Sequence, residues 1–175
     1  GDTRDLHSFP TRRSSDLSGK VPGYFDFYDA MYQIETIQGD ITKVRTDCIV
    51  NAANTWLHGG GGVDGAIHRA AGPVLGDACA EYVREHGLLP TGQVMHTGGG
   101  HIPVKGIIHA VGPVYREHLP DESDRLLQAC YRNALVLAES RQYGSLAVPN
   151  LDRKSTSRNP SHVRQTRMPP AACKK

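Results

Sequence analysis

The sequence predicts an α/β domain in which short strands alternate with helices, and three observations carry that prediction. Short β-branched, apolar runs alternate with longer runs whose apolar residues recur every three or four positions. Glycine and proline punctuate the boundaries between them. One junction, Cys48 to Gly72, joins an apolar strand to a helix through four consecutive glycines, Gly59 to Gly62.

Taken in order, Ile34 to Ile37 predicts a short strand that runs into the turn Gln38-Gly39-Asp40. Asp47 to Val50 predicts a second strand, ending in Asn51-Ala52-Ala53-Asn54. Val63 to Ala71 reads as a helix closed by Gly72-Pro73, and Val74 to His86 as another that stops at Gly87. Gln93 to Thr97 and Ile107 to Val111 are strands, the latter bounded by Gly106 and Gly112-Pro113. A long helix is expected from Ser123 to Gln142, with Leu126, Leu127, Cys130, Tyr131, Ala134, Leu135 and Ala138 on one face. Leu146 to Val148 begins a further strand.

A chain of 175 residues fits one domain. No apolar run approaches the roughly 20 residues that cross a bilayer, so no membrane partner is expected. The scattered Cys48, Cys79, Cys130 and Cys173 form no metal-binding or disulfide pattern. They read as small core residues in a reducing, cytoplasmic compartment, and neither metal nor cofactor is expected. The net charge of +2 conceals an asymmetry. From Leu151 onward seven Lys/Arg face only Asp152, giving +6 and leaving −4 for the rest. The body is mildly acidic, which argues against a specific nucleic-acid partner. Residues 1–23 and 151–175 are polar, proline-containing and without period, so both read as disordered tails around a domain at 24–150.

The junction carries the chemistry. Ligands of open α/β sheets sit at the carboxyl ends of strands, where this strand delivers Asn51 and Asn54. Glycines let backbone N–H groups approach an anion, and the helix N-terminus adds about half a positive charge. A phosphate or diphosphate site is the physical expectation, with Asp64 in the first helical turn beside it. Gly60, Gly62 and Gly65 also match the dinucleotide pattern G-x-G-x-x-G, but Thr55 to His58 separate the glycines from the strand. No Gly-Lys-Ser/Thr follows, which excludes a nucleoside-triphosphatase loop.

Five ordered motifs resemble those of the macrodomain family, in its hydrolase-type branch. They are G-D-I-T (Gly39 to Thr42), N-A-A-N (Asn51 to Asn54), G-G-G-G-V-D-G-A-I-H-R-A-A-G (Gly59 to Gly72), P-T-G-Q-V (Pro90 to Val94) and I-H-A-V-G-P (Ile108 to Pro113). The resemblance implies a three-layer α/β/α fold with a mixed sheet, acting as a monomer on ADP-ribose or ADP-ribosylated protein. It implies hydrolysis of ADP-ribosyl esters, with a non-catalytic ADP-ribose reader as the alternative. By resemblance Asp40 accepts a hydrogen bond from the adenine amino group and the backbone of Ile41 holds the same base. Gly60, Gly61, Gly62 and Val63 supply the phosphate loop, Asn54 binds the distal ribose, and Asp64 positions the attacking water. A helix N-terminus stabilises the carboxylate as an anion, which suits orienting a water better than acting as a strong base.

Other polar residues read as structural. Asn51 caps the loop, His68 packs on its helix, and His96, His101 and His109 have no clustered partner. Trp56 belongs with the core more than with a ligand. The ending departs from the family, because no glycine follows Gly144 and no second phosphate loop appears. Both terminal strings resemble translated adapter sequence, so the domain reads as interrupted after Asn150, with its last strand and helix missing. In the family that strand lies beside the first one. Its loss predicts two unpaired strand edges at about 1–3 kcal/mol per buried unsatisfied group, against a total stability of about 5–15 kcal/mol.

Overall fold

The structure is a computed structural model. It describes residues 33–114 and 119–151, and the backbone of the strand 162–167. The tail expected at 1–23, the remainder of that at 151–175, and Cys173 lie outside the described residues.

The expected alternation is present. Strands β1 (Gln33–Gln38), β2 (Cys48–Ala53), β3 (Val94–Thr97), β4 (Gly106–Val111) and β5 (Ser145–Val148) each fall on a predicted run, and β2 carries Asn51 inside it rather than beyond its end. Helices α1 (Gly62–Ala71), α2 (Pro73–His86) and α3 (Pro120–Ser140) follow the apolar periodicity. Helix α3 begins three residues earlier than predicted because Pro120 suits the first helical position, where its missing N–H costs nothing. Gly72 (φ 81°) and Gly87 (φ 80°) end α1 and α2 in a conformation that a side chain disfavours.

The strands form one mixed sheet in the order β1-β6-β5-β2-β4-β3, where β6 is His162–Arg167. β2 runs parallel to both β4 and β5. Residues alternate between the two faces of the sheet, as the pleat requires. Ile49, Ala53, Ile107, Val111 and Ala147 pack with Ile67 of α1 and with Leu75 and Cys79 of α2. Cys48, Val50, Ile108, Ala110, Leu146 and Val148 pack with Cys130, Ala134 and Ala138 of α3. The result is the three-layer α/β/α arrangement the resemblance implies. β2 and β4 are buried along their lengths because helices cover both sides.

β6 is the departure from the sequence reading. The tail from Leu151 is not without structure throughout: Leu151 is fully buried, and His162–Arg167 pairs antiparallel with both β1 and β5. The edges expected to stand open are therefore paired. Backbone N–H and C=O groups of β1 and β5 need partners whatever the side chains are. A six-residue polar strand gives almost no apolar period, so pattern reading passes over it.

Candidate functional site

The site grows out of the carboxyl end of β2. Asn54 follows the strand directly, and its Oδ1 accepts from the backbone N of Trp56 at 3.0 Å. Its carbonyl accepts from the N of Leu57 at 3.1 Å, so the chain turns sharply there. Leu57 adopts φ 55° and is fully buried, anchoring the turn in the core. Asn54 Nδ2 donates to the carbonyl of Gly59 at 2.9 Å, tying the glycine run back to the strand. Gly60, Gly61 and Gly62 are exposed, Gly62 has φ 61°, and α1 starts there. Val63 is half-buried against the α1–α2 core, so its backbone lies at the helix start as expected.

Asp64 is 6% exposed and held on both carboxylate oxygens. Asn51 Nδ2 donates to Oδ1 at 2.7 Å, and Asn54 Nδ2 donates to Oδ2 at 3.2 Å. His68, one turn along α1, brings Nε2 to 3.4 Å from Oδ1 without reaching hydrogen-bond geometry. A β-carbon on Gly60 would touch Asp64 Oδ2 at 3.4 Å, so the glycine loop lies against this carboxylate. Both N–H groups of Asn54 are engaged, and its remaining capacity toward a ligand is as an acceptor through Oδ1. The two predicted catalytic residues, Asn54 and Asp64, are thus in direct contact beside the exposed glycines.

Sequence reasoning missed what lies behind them. Asn51, read as a loop cap, instead bonds the Asp64 carboxylate, and its Nδ2 also lies 3.1 Å from His109 Nδ1. His109, read as having no clustered partner, is fully buried with its Nε2 2.9 Å from Thr97 Oγ1 and 3.9 Å from Cys79 Sγ. Its ring meets that of His68 edge-on at 6.2 Å between centroids. Burial, then the charges of His68 and His96, push His109 down to about 3, so the ring is neutral. Burial also pushes the Cys79 thiol up to about 11, leaving it protonated. Asn51 and His109 face each other in the β2–β4 register, a pairing that three-residue spacing rules cannot reveal.

His68, Cys79 and His109 bring one ligand atom each within 4.8 Å of the others, the geometry from which metal sites are built. Both nitrogens of His109 already have partners in Asn51 and Thr97, however, and a metal on that ring would have to displace one of them. The donor set therefore suits a hydrogen-bond network better than an ion.

Asp40 caps the short 3-10 turn Ile41–Lys43, its Oδ1 accepting from Thr42 N at 3.0 Å and from Thr42 Oγ1 at 2.7 Å. Those Thr42 bonds, more than the neighbouring Lys43, hold its carboxyl below the usual range. Asp40 lines a cleft of about 500 Å³ with Glu35, Ile37, Lys43 and Arg45. Ile41 is buried in the core that also holds Ile67 of α1. Trp56 is 59% exposed, not part of the core, because the Asn54 turn directs it outward while Leu57 takes the inward position. His96 also has a partner, its Nε2 lying 2.7 Å from the Tyr143 hydroxyl, and the His101 ring sits over Gly72. Among the described residues no helix is long and apolar enough to cross a membrane.

Comparison with known proteins matches this geometry to one family. The Macro domain family model matches residues 50–158, from the middle of β2 past β5. The O-acetyl-ADP-ribose deacetylase of Escherichia coli is 52% identical over 117 residues, which are 67% of this chain and 66% of that protein. That of Salmonella typhimurium is 50% identical over 117 residues, 67% of this chain and 65% of its own length. The chain thus spans just under two thirds of these curated relatives. The solved Oceanobacillus iheyensis macrodomain with ADP is similar at 44% identity and a TM-score of 0.60, covering 66% of this chain and 67% of that one. The Trypanosoma brucei macrodomain in complex with ADP-ribose gives 43% identity and a TM-score of 0.54, covering 62% of this chain and 43% of that one. The layered sheet, the strand-to-helix glycine turn and the family model agree, and this chain belongs to the macrodomain family.

Proposed function

We propose that this chain binds ADP-ribose along the Asp40–Asp64 edge and hydrolyses an ADP-ribosyl ester there, either O-acetyl-ADP-ribose or ADP-ribose linked to a protein Asp or Glu. The observation that carries the reading is the Asp64 carboxylate, held on both oxygens by Asn51 and Asn54 where exposed glycines open α1. The curated relatives named as O-acetyl-ADP-ribose deacetylases and the neighbours solved with ADP and ADP-ribose support it.

In this reading the backbone of Gly60, Gly61, Gly62 and Val63 receives the diphosphate at the positive end of α1. Asp40 and the backbone of Ile41 take the adenine, and Asn54 Oδ1 accepts from a hydroxyl of the distal ribose. Asp64, fixed by its two donors, accepts a hydrogen bond from water and orients it. With O-acetyl-ADP-ribose, water adds to the acetyl carbonyl, the ester C–O bond breaks, the ribose oxygen takes up a proton and acetate leaves. With a protein ester, water attacks the anomeric carbon and the carboxylate leaves. The buried thiols of Cys48, Cys79 and Cys130 suit a reducing, cytoplasmic setting.

The test is paired. Calorimetric titration with ADP-ribose measures binding, and chromatography of O-acetyl-ADP-ribose follows acetate release. Binding with turnover supports the hydrolase. Binding without turnover would assign a reader module, and no binding would remove the proposal.

A further inference from the structure

We infer that His109 is a positioning residue for this centre: as the neutral ring protonated on Nε2, it locks the Asn51 amide in the one orientation that presents N–H to Asp64. The inference rests on the hydrolase reading and deepens it.

The hydrogen-bond chain leaves no freedom in its proton positions. An ionised carboxylate only accepts, so the Asn51 group 2.7 Å from Asp64 Oδ1 must be the NH₂ end of the amide. The same nitrogen lies 3.1 Å from His109 Nδ1, and its second N–H needs an acceptor there. Nδ1 is therefore unprotonated, and the neutral ring carries its hydrogen on Nε2. Thr97 Oγ1 receives that hydrogen at 2.9 Å. With the other tautomer, or with imidazolium, an N–H on Nδ1 would face the Asn51 N–H. The amide would then flip and turn its oxygen against the Asp64 carboxylate.

Sheet geometry builds this arrangement. Asn51 and His109 stand side by side in the parallel β2–β4 register, so their side chains share the face covered by α1 and α2. Thr97 lies diagonally across the antiparallel β4–β3 pair, where Met95 is the direct partner of His109, and a ring can reach it. Asn51 Oδ1 has no hydrogen-bond partner among the described residues, so only the two N–H contacts hold the amide. The titratable groups around the ring are Asp64 and His68 on α1, Cys79 on α2 and His96 on β3.

Two measurements on the full chain test this. Long-range proton–nitrogen NMR of labelled histidine reads the tautomer directly. The His109 ring should show Nε2 protonated and Nδ1 bare, unchanged as pH falls through the ordinary histidine value of about 6.5. An Nδ1-protonated ring, or one that titrates there, overturns the inference whether or not the chain is active. Kinetics then separates positioning from packing. His109→Leu keeps bulk but no acceptor and should lower kcat about 100-fold with KM unchanged. His109→Asn places an acceptor oxygen near the Nδ1 position and should recover most of that loss. Equal kcat in folded Leu and Asn variants, matched in melting temperature, would also overturn it. If the Leu variant does not fold, the Asn variant and the NMR signal decide. Absence of turnover in the unaltered chain sinks the hydrolase reading, and the tautomer measurement still judges the lock.

Discussion

The carbonyl oxygen of Gly60 occupies the place where a β-carbon on Gly65 would have to sit. The glycine loop therefore rests directly on the first turn of α1, and the helix can approach only because residue 65 has no side chain. Gly65→Ala should push the loop from the helix, destabilise the fold by about 1–3 kcal/mol and weaken ADP-ribose binding. Thermal melting together with calorimetric titration checks both effects. Unchanged affinity in the alanine variant would show that the contact between loop and helix is not needed for binding.

Asp64→Asn keeps the shape of the side chain but replaces one acceptor with a donor. Its NH₂ would face the N–H of Asn51 or of Asn54, whichever oxygen is lost. Destabilisation of about 1–3 kcal/mol is expected from the unmatched buried groups. Ester release should fall about 100-fold, because the water loses its fixed acceptor. Denaturant unfolding and single-turnover hydrolysis measure the two losses separately.

At the opposite end of the sheet, Asp47 bonds Lys105 Nζ at 2.8 Å and Gly144 N at 2.7 Å. The Lys105 bond, with smaller help from Gly144, holds the Asp47 carboxyl below its ordinary value of 3.8. A depressed carboxylate contributes stability that is present above the unfolded value and lost as pH falls through the folded one. Lys105→Met should therefore raise the pH of acid unfolding, lowering stability near neutral pH while leaving stability well below about pH 4, where Asp47 is protonated, much less changed. Acid titration followed by circular dichroism checks the direction. A midpoint that stays put or moves down would contradict this account.

Gln165 stands in the middle of β6, opposite Glu35 on one side and Ala147 on the other. Proline there has no N–H for the ladder and fits poorly in an interior strand. Gln165→Pro should remove hydrogen-exchange protection from β1 and β5 together and lower the melting temperature. Protection retained in both strands would mean that they do not depend on β6.

Much of this was legible locally. The β2–glycine–α1 segment is contiguous, and its turn is built by Asn54 and by glycines at positive φ such as Gly59 (79°) and Gly62 (61°), so residue types alone announce it. The helices announce themselves through apolar spacing, as Ile67 in α1 and Ala134 in α3 show by being buried. The exposure of Trp56 was not legible, because one residue decides which of Trp56 and Leu57 turns inward.

By itself, then, the sequence determined the strand–helix alternation, the glycine turn that opens α1 and the adjacency of Asn54 and Asp64 on either side of that turn. The tertiary structure decided the rest. Asn51 meets His109 across 58 positions of sequence, and β6 finds β1 and β5, only through sheet register. Pairing in a sheet is set by backbone groups that every residue carries, so it leaves little trace in side-chain pattern.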